Sequence, residues 1–356
     1  ACQIIGRWAT LLLAPFPLVA ATWGNYLELD SLFYSEAVPI HGLLNDWDGE
    51  NRVGEHAVSL IHVESGVSTE NWQLGLFYRN EYHLRFTPET ARFYQDKQLG
   101  VPSVSGKIYQ LGLHGIQYEV TGLRAGFQFP LNEFFDLTIR GDYLEGQSLR
   151  LLDLQASGNL ATLSSWRDIH DLQFQQSYSG QDALLDKLGV PEGRQSDGIG
   201  YALGLGLSYD QGLLSFQADV DNWLGRIYWD QALKTTLEMQ DGTHGTWFPV
   251  FPDYGRLGRL TQQLPIEVKI AGQWQTTLDW ALTVRTRITK GHQFNWLGVE
   301  WNRDSAIRLR GELEPIAKAV GINFEMPWGE IGVSSDNINW RDAHYLALQA
   351  QFQFYW

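Results

Sequence analysis

Tyr345-Leu346-Ala347-Leu348-Gln349-Ala350-Gln351-Phe352-Gln353-Phe354-Tyr355-Trp356 closes the chain. Leu346, Leu348, Ala350, Phe352, Phe354 and Trp356 alternate there with Gln349, Gln351 and Gln353, and a period of two sends the two sets to opposite faces of a strand. A soluble sandwich would lay the apolar face against a second sheet. A barrel in lipid would turn it outward and leave the glutamines facing a wet interior.

Other segments repeat the pattern. In 307–314, Ile307, Leu309 and Leu313 oppose Arg308, Arg310, Glu312 and Glu314. Leu278, Trp280, Leu282, Val284 and Ile288 oppose Asp279, Thr283, Arg285 and Arg287; Ile266, Val268 and Ile270 oppose Glu267, Lys269 and Gln273. Phe135, Leu137, Ile139 and Tyr143 oppose Asp136, Thr138, Arg140 and Asp142. With Trp72, Tyr82, Trp274, Trp296, Trp301 and Trp328 near the expected strand ends, the pattern fits an all-β transmembrane antiparallel up-and-down β-barrel with aromatic girdles.

Composition agrees. Lys and Arg number 26 against 41 Asp and Glu, a net charge of −15 that argues against nucleic acid as the main partner. The 44% hydrophobic and 13% aromatic content excludes a disordered chain, and 36 glycines beside one cysteine suit a β-rich protein without disulfides or a thiolate metal site. Outside the N-terminus no apolar run reaches the roughly 18 residues of a membrane helix. Arg7 precedes an apolar stretch from Ala9 to Ala21 ending Val19-Ala20-Ala21, which predicts a signal peptide over 1–21 and a single barrel domain over 22–356. A short buried helix or strand is the other reading. Cys2 lies upstream of the apolar stretch, where a lipid-anchoring cysteine would follow it.

A leader, alternating strands and a final Phe352-Gln353-Phe354-Tyr355-Trp356 together resemble the Gram-negative outer-membrane β-barrel superfamily, porin-like or transporter-like. The resemblance covers the whole mature chain and is architectural. It implies an outer-membrane location, contact with lipid and lipopolysaccharide, and recognition of Phe352, Phe354 and Trp356 by the barrel-assembly machinery. The fatty-acid transporter family is similar in strand count, but its plug and early Asn-Pro-Ala signature are not found before the first strand.

Turn signals at 65–68, 130–133, 210–212, 275–277, 303–304 and 327–328 alternate with longer segments near 36–53, 87–106, 150–197 and 230–262. About 14 strands result, an even number with both termini on the short-turn side. Twelve or sixteen stay open, because 107–129 and 213–229 could each be a hairpin. The insertion at 150–197, with Trp166-Arg167-Asp168-Ile169-His170 and a short helix expected over 182–188, could enter the mouth as a constriction or stand as a surface loop. Gly200, Ala202, Gly204, Gly206 and Ser208 form a small-residue face with room for that insertion or a solute, unless they only relieve crowding where the barrel bends.

Arg79, Arg140, Arg285, Arg287, Arg308 and Arg310, facing Glu267, Glu300, Glu312, Asp219 and Asp221, are the lumen and selectivity candidates. The turn at 275–277 predicts Glu267 opposite Arg285, and the next puts Glu300 near Arg308. Such pairs either brace the wall or form an eyelet whose field orients solutes. The preferred function is a channel or passive transporter for a small hydrophilic or amphipathic solute, with no cofactor, no metal and no catalytic residue. A non-conducting scaffold or accessory subunit in surface assembly or polymer export is the alternative, and an outer-membrane hydrolase the third. His62, His83, His114 and His170 would carry that last reading, for which no hydrolase motif is present.

Overall fold

In a lipid core every backbone N–H and C=O must find a partner within the protein, and a sheet achieves this by closing on itself. The computed structural model describes residues 23–44, 52, 54–98, 107–158, 171–179, 197–241, 247–303 and 307–355. Its strands run β1 (Gly24–Ser35), β2 (His56–Ser68), β3 (Trp72–Phe86), β4 (Tyr109–Pro130), β5 (Phe135–Gly158), β6 (Asp171–Ser179), β7 (Gly198–Asp210), β8 (Leu214–Asp221) and β9 (Arg226–Asp241). They continue through β10 (Trp247–Gln263), β11 (Glu267–Gln275), β12 (Trp280–Thr289), β13 (His292–Arg303), β14 (Ile307–Glu314), β15 (Ala319–Met326), β16 (Gly329–Ser335) and β17 (Tyr345–Tyr355). Every pairing is antiparallel, and β1 closes the ring: Leu29 lies opposite Val63 of β2 and Ala350 of β17. This is the architecture of an outer-membrane β-barrel.

The seventeen segments differ from the expected count because three strands are interrupted. β5 pairs with β6 along Leu149–Ser157 and with β7 along Phe135–Gly146, so β6 and β7 share one place in the ring. β8 and β9 share the next, and β11 and β10, which pair with them in turn, share a third. Seventeen segments less three gives fourteen places. Asn222, with φ of 57°, turns the chain between β8 and β9, and Pro265, which has no N–H for the ladder, stands between β10 and β11.

Neither long segment is a hairpin. β4 is continuous, the apparent phase change being a bulge that leaves Gln147 of β5 without an opposite residue; 213–229 forms two collinear pieces. The expected loop at 230–262 is mostly the β9–β10 hairpin, and within 150–197 the residues 150–158 and 171–179 are wall strands. The helix expected over 182–188 and the motif at 166–170 lie outside the described residues. Two helices, α1 (Ile40–Leu44) and α2 (Pro88–Gln98), belong to the long-loop end, where Ala91 of α2 packs with Ala37, Ala57, Leu84 and Phe86.

The barrel is lopsided in height. β4 and β5 span 22 and 24 residues, while β14, β15 and β16 span 8, 8 and 7, against about 9–11 for a membrane crossing. Its tall wall therefore projects beyond the lipid on one side. Leu76, Leu123, Leu203, Val284, Ile322 and Val333 are exposed on the outer face, and Gln349, Gln351 and Gln353 occupy the inner one. Trp72, Trp274, Trp280, Trp301 and Trp328 cluster at the short-turn end, where Trp328 stacks on Phe352 at 5.9 Å and Phe354 at 6.3 Å. Trp296 departs from the expected girdle: it faces the lumen, 6% exposed.

Leu203→Arg, which sets a charge into the apolar outer band, is expected to destabilise the barrel by roughly 2–4 kcal/mol near the midplane. Gln351→Arg, on the inner face, should cost much less; urea unfolding from lipid vesicles measures both.

Candidate functional site: an ion-paired lumen

Residues directly opposite one another in a ladder share a face, so the register fixes which side chains point inward. Asp30, His62 and Arg79 form one such row across β1, β2 and β3, and Arg124, Asp142 and Ala202 another across β4, β5 and β7. All eleven lumen candidates fall on this inner face. The inward charges form five groups, and the eleven candidates belong to the last four of them.

In the first, Arg124 grips Asp142 with two parallel bonds of 2.8 Å and reaches Glu64 of β2 at 3.0 Å. The Tyr26 hydroxyl donates to the other oxygen of Glu64 at 2.6 Å. The planar fork of arginine suits this two-carboxylate grip, and Arg124, Asp142 and Glu64 are all buried. In the second, Arg140 donates to Asp219 at 2.7 Å and Asp221 at 3.2 Å. It does so over the small-residue face of β7: a Cβ on Gly206 would stand 2.6 Å from Asp219 Oδ1, and one on Gly204 3.0 Å from Asp221 Oδ1. The room inferred from the sequence is taken by an arginine–aspartate cluster, and farther along by Trp229, whose ring lies 2.9 Å from where a Gly198 Cβ would be.

The third group crosses the barrel. Asp30, in the first place of the ring, accepts from Lys269 at 3.0 Å and Arg287 at 3.0 Å, in the eighth and ninth places. Glu267 contacts both cations. In the fourth, Arg285 bonds Glu312 and reaches Gln349 at 2.7 Å, while Arg310 meets Glu312 at 2.9 Å, Glu330 at 2.5 Å and Glu300 at 3.8 Å. Arg308 contacts Glu325 and lies 3.9 Å from Glu300. In the fifth, Arg79 donates to Asn222 Oδ1 at 2.9 Å and stands 3.7 Å from Glu81; Asn222 Nδ2 donates to the Pro265 carbonyl at 2.9 Å. The two strand breaks are therefore pinned from the far wall by Arg79.

These contacts form a septum of wall side chains. Two apolar clusters border these contacts, one around Phe77, Tyr118, Leu149, Ile227 and Trp229, the other around Leu32, Leu60, Phe294, Trp296 and Tyr345; the Phe77 ring lies 5.6 Å from Arg79 and 5.3 Å from Arg124, and Arg285 stands 5.2 Å over the Trp296 ring. The Trp296 ring N–H donates to the Tyr345 hydroxyl at 3.2 Å, and the His292 ring meets His56 edge-on at 4.5 Å. On the short-turn side a cavity of about 370 Å³ is lined by Ser208, Ser215, Gln217, Gln273, Arg285 and Arg310, among others. Aromatic rings are thus interleaved with the ion pairs, and a polar vestibule lies toward the short-turn end.

One expected pair changes. Glu267 stands opposite Thr289 rather than Arg285, because the turn tip lies at 277–279, where Thr277 Oγ1 accepts from the backbone N–H of Asp279 and Trp280. The shift is an even number of residues, so each side chain keeps its face; Glu267 meets Arg287 instead. Asp30, Glu64, Arg124 and Lys269 were not among the candidates although the inward row includes them. Asp30 finds Lys269 and Arg287, and Glu64 finds Arg124, two or more strands away, and only the polar alternation of their own strands could have marked them. Phe352 and Phe354 face outward beside Trp328, and Trp356 lies outside the described residues.

His62 and His83 contact Glu64 and Glu81 inside the barrel at 3.1 and 3.2 Å, and His114 lies 3.8 Å from Asp153 with both side chains more than half exposed. His170 is outside the described residues. Among the described residues no three His, Cys, Asp or Glu side chains could hold a metal ion.

No protein-family model and no curated protein matches the sequence. Among solved structures, a deltaS2S3 mutant of the monoaromatic hydrocarbon channel TodX is similar with a TM-score of 0.48 and 11% identity, over 98% of this chain and 92% of that one. A Pseudomonas aeruginosa FadL homologue has a TM-score of 0.29 and 11% identity over 94% and 88%. The Escherichia coli outer-membrane protease OmpT has 0.26 and 7% over 96% and 99%. At these scores and identities the likeness carries no conclusion about what this chain moves or cleaves.

Arg124→Met leaves Glu64 and Asp142 buried without their cation and is expected to cost about 3–5 kcal/mol. Arg308→Gln, at a site with a 38% exposed side chain, should cost less than about 1 kcal/mol. Equilibrium urea unfolding of the two variants in the same lipid measures the contrast.

Proposed function

We propose that this chain is an outer-membrane channel or passive transporter for a small hydrophilic or amphipathic solute, shut in the described form by side chains of its own wall. The carrying observation is the septum itself: Asp30 holds Lys269 and Arg287 across the lumen, next to a polar vestibule of about 370 Å³. A closure made of side chains can part without unfolding the barrel. When Asp30 lets go, Lys269 and Arg287 both keep Glu267, so neither cation is left buried and unpaired. A solute with an apolar body and a polar end would meet the Phe294 and Trp296 rings beside Arg287 and Arg285 within the septum and serine and glutamine side chains in the vestibule.

The exposed apolar band would contact lipid and lipopolysaccharide, and Phe352, Phe354 and Trp356 would present the barrel to the assembly machinery. In this reading Arg79, Arg140, Arg285, Arg287, Arg308 and Arg310 with their carboxylates form the eyelet, and no chemical step or cofactor is required. The second reading is a non-conducting scaffold or accessory subunit. It is favoured by the completeness of the packing at the ionic level, where Arg79, Glu64 and Glu300 are nearly inaccessible.

Planar-bilayer recording separates the two. The channel reading expects rare openings of the native barrel and an open probability raised about tenfold or more in Asp30→Asn, which weakens the cross-lumen rung by roughly 1.4 kcal/mol or more. Folded native and Asp30→Asn barrels that are both silent support the scaffold.

A further inference from the structure

Resting on the channel reading, we infer that the lumen admits small cations in preference to anions. The carboxylates and cations of the septum are not evenly matched. Two carboxylates share Arg124, and two share Arg140. Asp30 and Glu267 balance Lys269 and Arg287, and Glu81 balances Arg79. Around Arg285, Arg308 and Arg310 stand Glu300, Glu312, Glu325 and Glu330. With His62 and His83, which touch Glu64 and Glu81, counted as neutral, no group holds a surplus cation, and three hold a surplus carboxylate.

The flanking inner face adds to the excess. Glu28 of β1 lies in register opposite Glu64, a like charge, and the wholly buried Glu314 is bonded to the backbone N–H of Asn295 at 3.1 Å and of Ala317. The vestibule does expose two arginines, Arg285 and Arg310, which taken alone would suggest an anion path. Both are committed: Arg310 to three glutamates, and Arg285 to Glu312 and Gln349. An entering anion would have to displace a carboxylate already in place, and would meet the unneutralised charge of the others.

Physical scale favours the same sign. Within each group the charges are in contact, closer together than the Debye length of about 10 Å at 0.1 M salt, so each surplus carboxylate acts on whatever enters beside it. Low-dielectric walls concentrate that field along the axis and raise the local counter-ion concentration, the means by which acidic rings select cations. The chain's overall charge of −15 could not decide this, since it does not say which charges face inward.

The test is the reversal potential of the native barrel and of the Asp30→Asn variant in a planar bilayer under a tenfold KCl gradient. A sign showing potassium favoured over chloride by about threefold or more is expected. The double variant Glu325→Gln/Glu330→Gln, altering half-buried carboxylates beside the vestibule, should reduce the ratio, and Arg308→Gln should raise it. Current that reverses near zero or with the anion sign overturns cation preference and leaves the channel reading standing. Unchanged ratios in both variants overturn the assignment of selectivity to this layer, and silence of folded native and Asp30→Asn barrels overturns both.

Discussion

The constraint on which everything else depends is that backbone polar groups cannot be left open to hydrocarbon. It requires β1 to bond β17 as well as β2, and it makes the three interrupted strands keep their places in the ring instead of forming extra hairpins. Closure then removes the usual apolar core between layers. What remains inside is whatever the inward half of each strand carries, and here that half is charged.

A charged interior of this width must satisfy itself. Several carboxylates would be costly to bury singly, and shared arginines offset that cost by holding two partners at once, as Arg124 holds Asp142 and Glu64. The same pairing draws walls together. Asp30 with Lys269 and Arg287, and Arg79 with Asn222, are bonds across the lumen rather than along it. The contacts that brace the wall are therefore also the ones that cross the lumen.

Much of this was readable in the sequence. The alternation in 345–355, 307–314 and 278–289 placed every glutamine, arginine and glutamate of those strands on the correct face, because face depends only on parity. The aromatic girdle was legible at Trp72, Trp274, Trp301 and Trp328 but not at Trp296, whose parity puts it inside. Contacts failed where they depended on turn geometry or on distant strands: Glu267 found Arg287 instead of Arg285, and the small-residue wall of β7 proved to be filled by Arg140 and Trp229.

The sequence by itself pointed to the inside-out barrel, since a two-residue period repeated strand after strand, with charges on one face and aromatics near the strand ends, is the pattern of a barrel in lipid. It also came within the interrupted strands of the right count. Only the tertiary structure decided that the lumen is crossed and that its carboxylates outnumber its cations. Pairings across a ring join residues far apart in the chain, by 143 positions for Arg79 and Asn222 and by 257 for Asp30 and Arg287, and no local pattern encodes which walls of a closed sheet lean together.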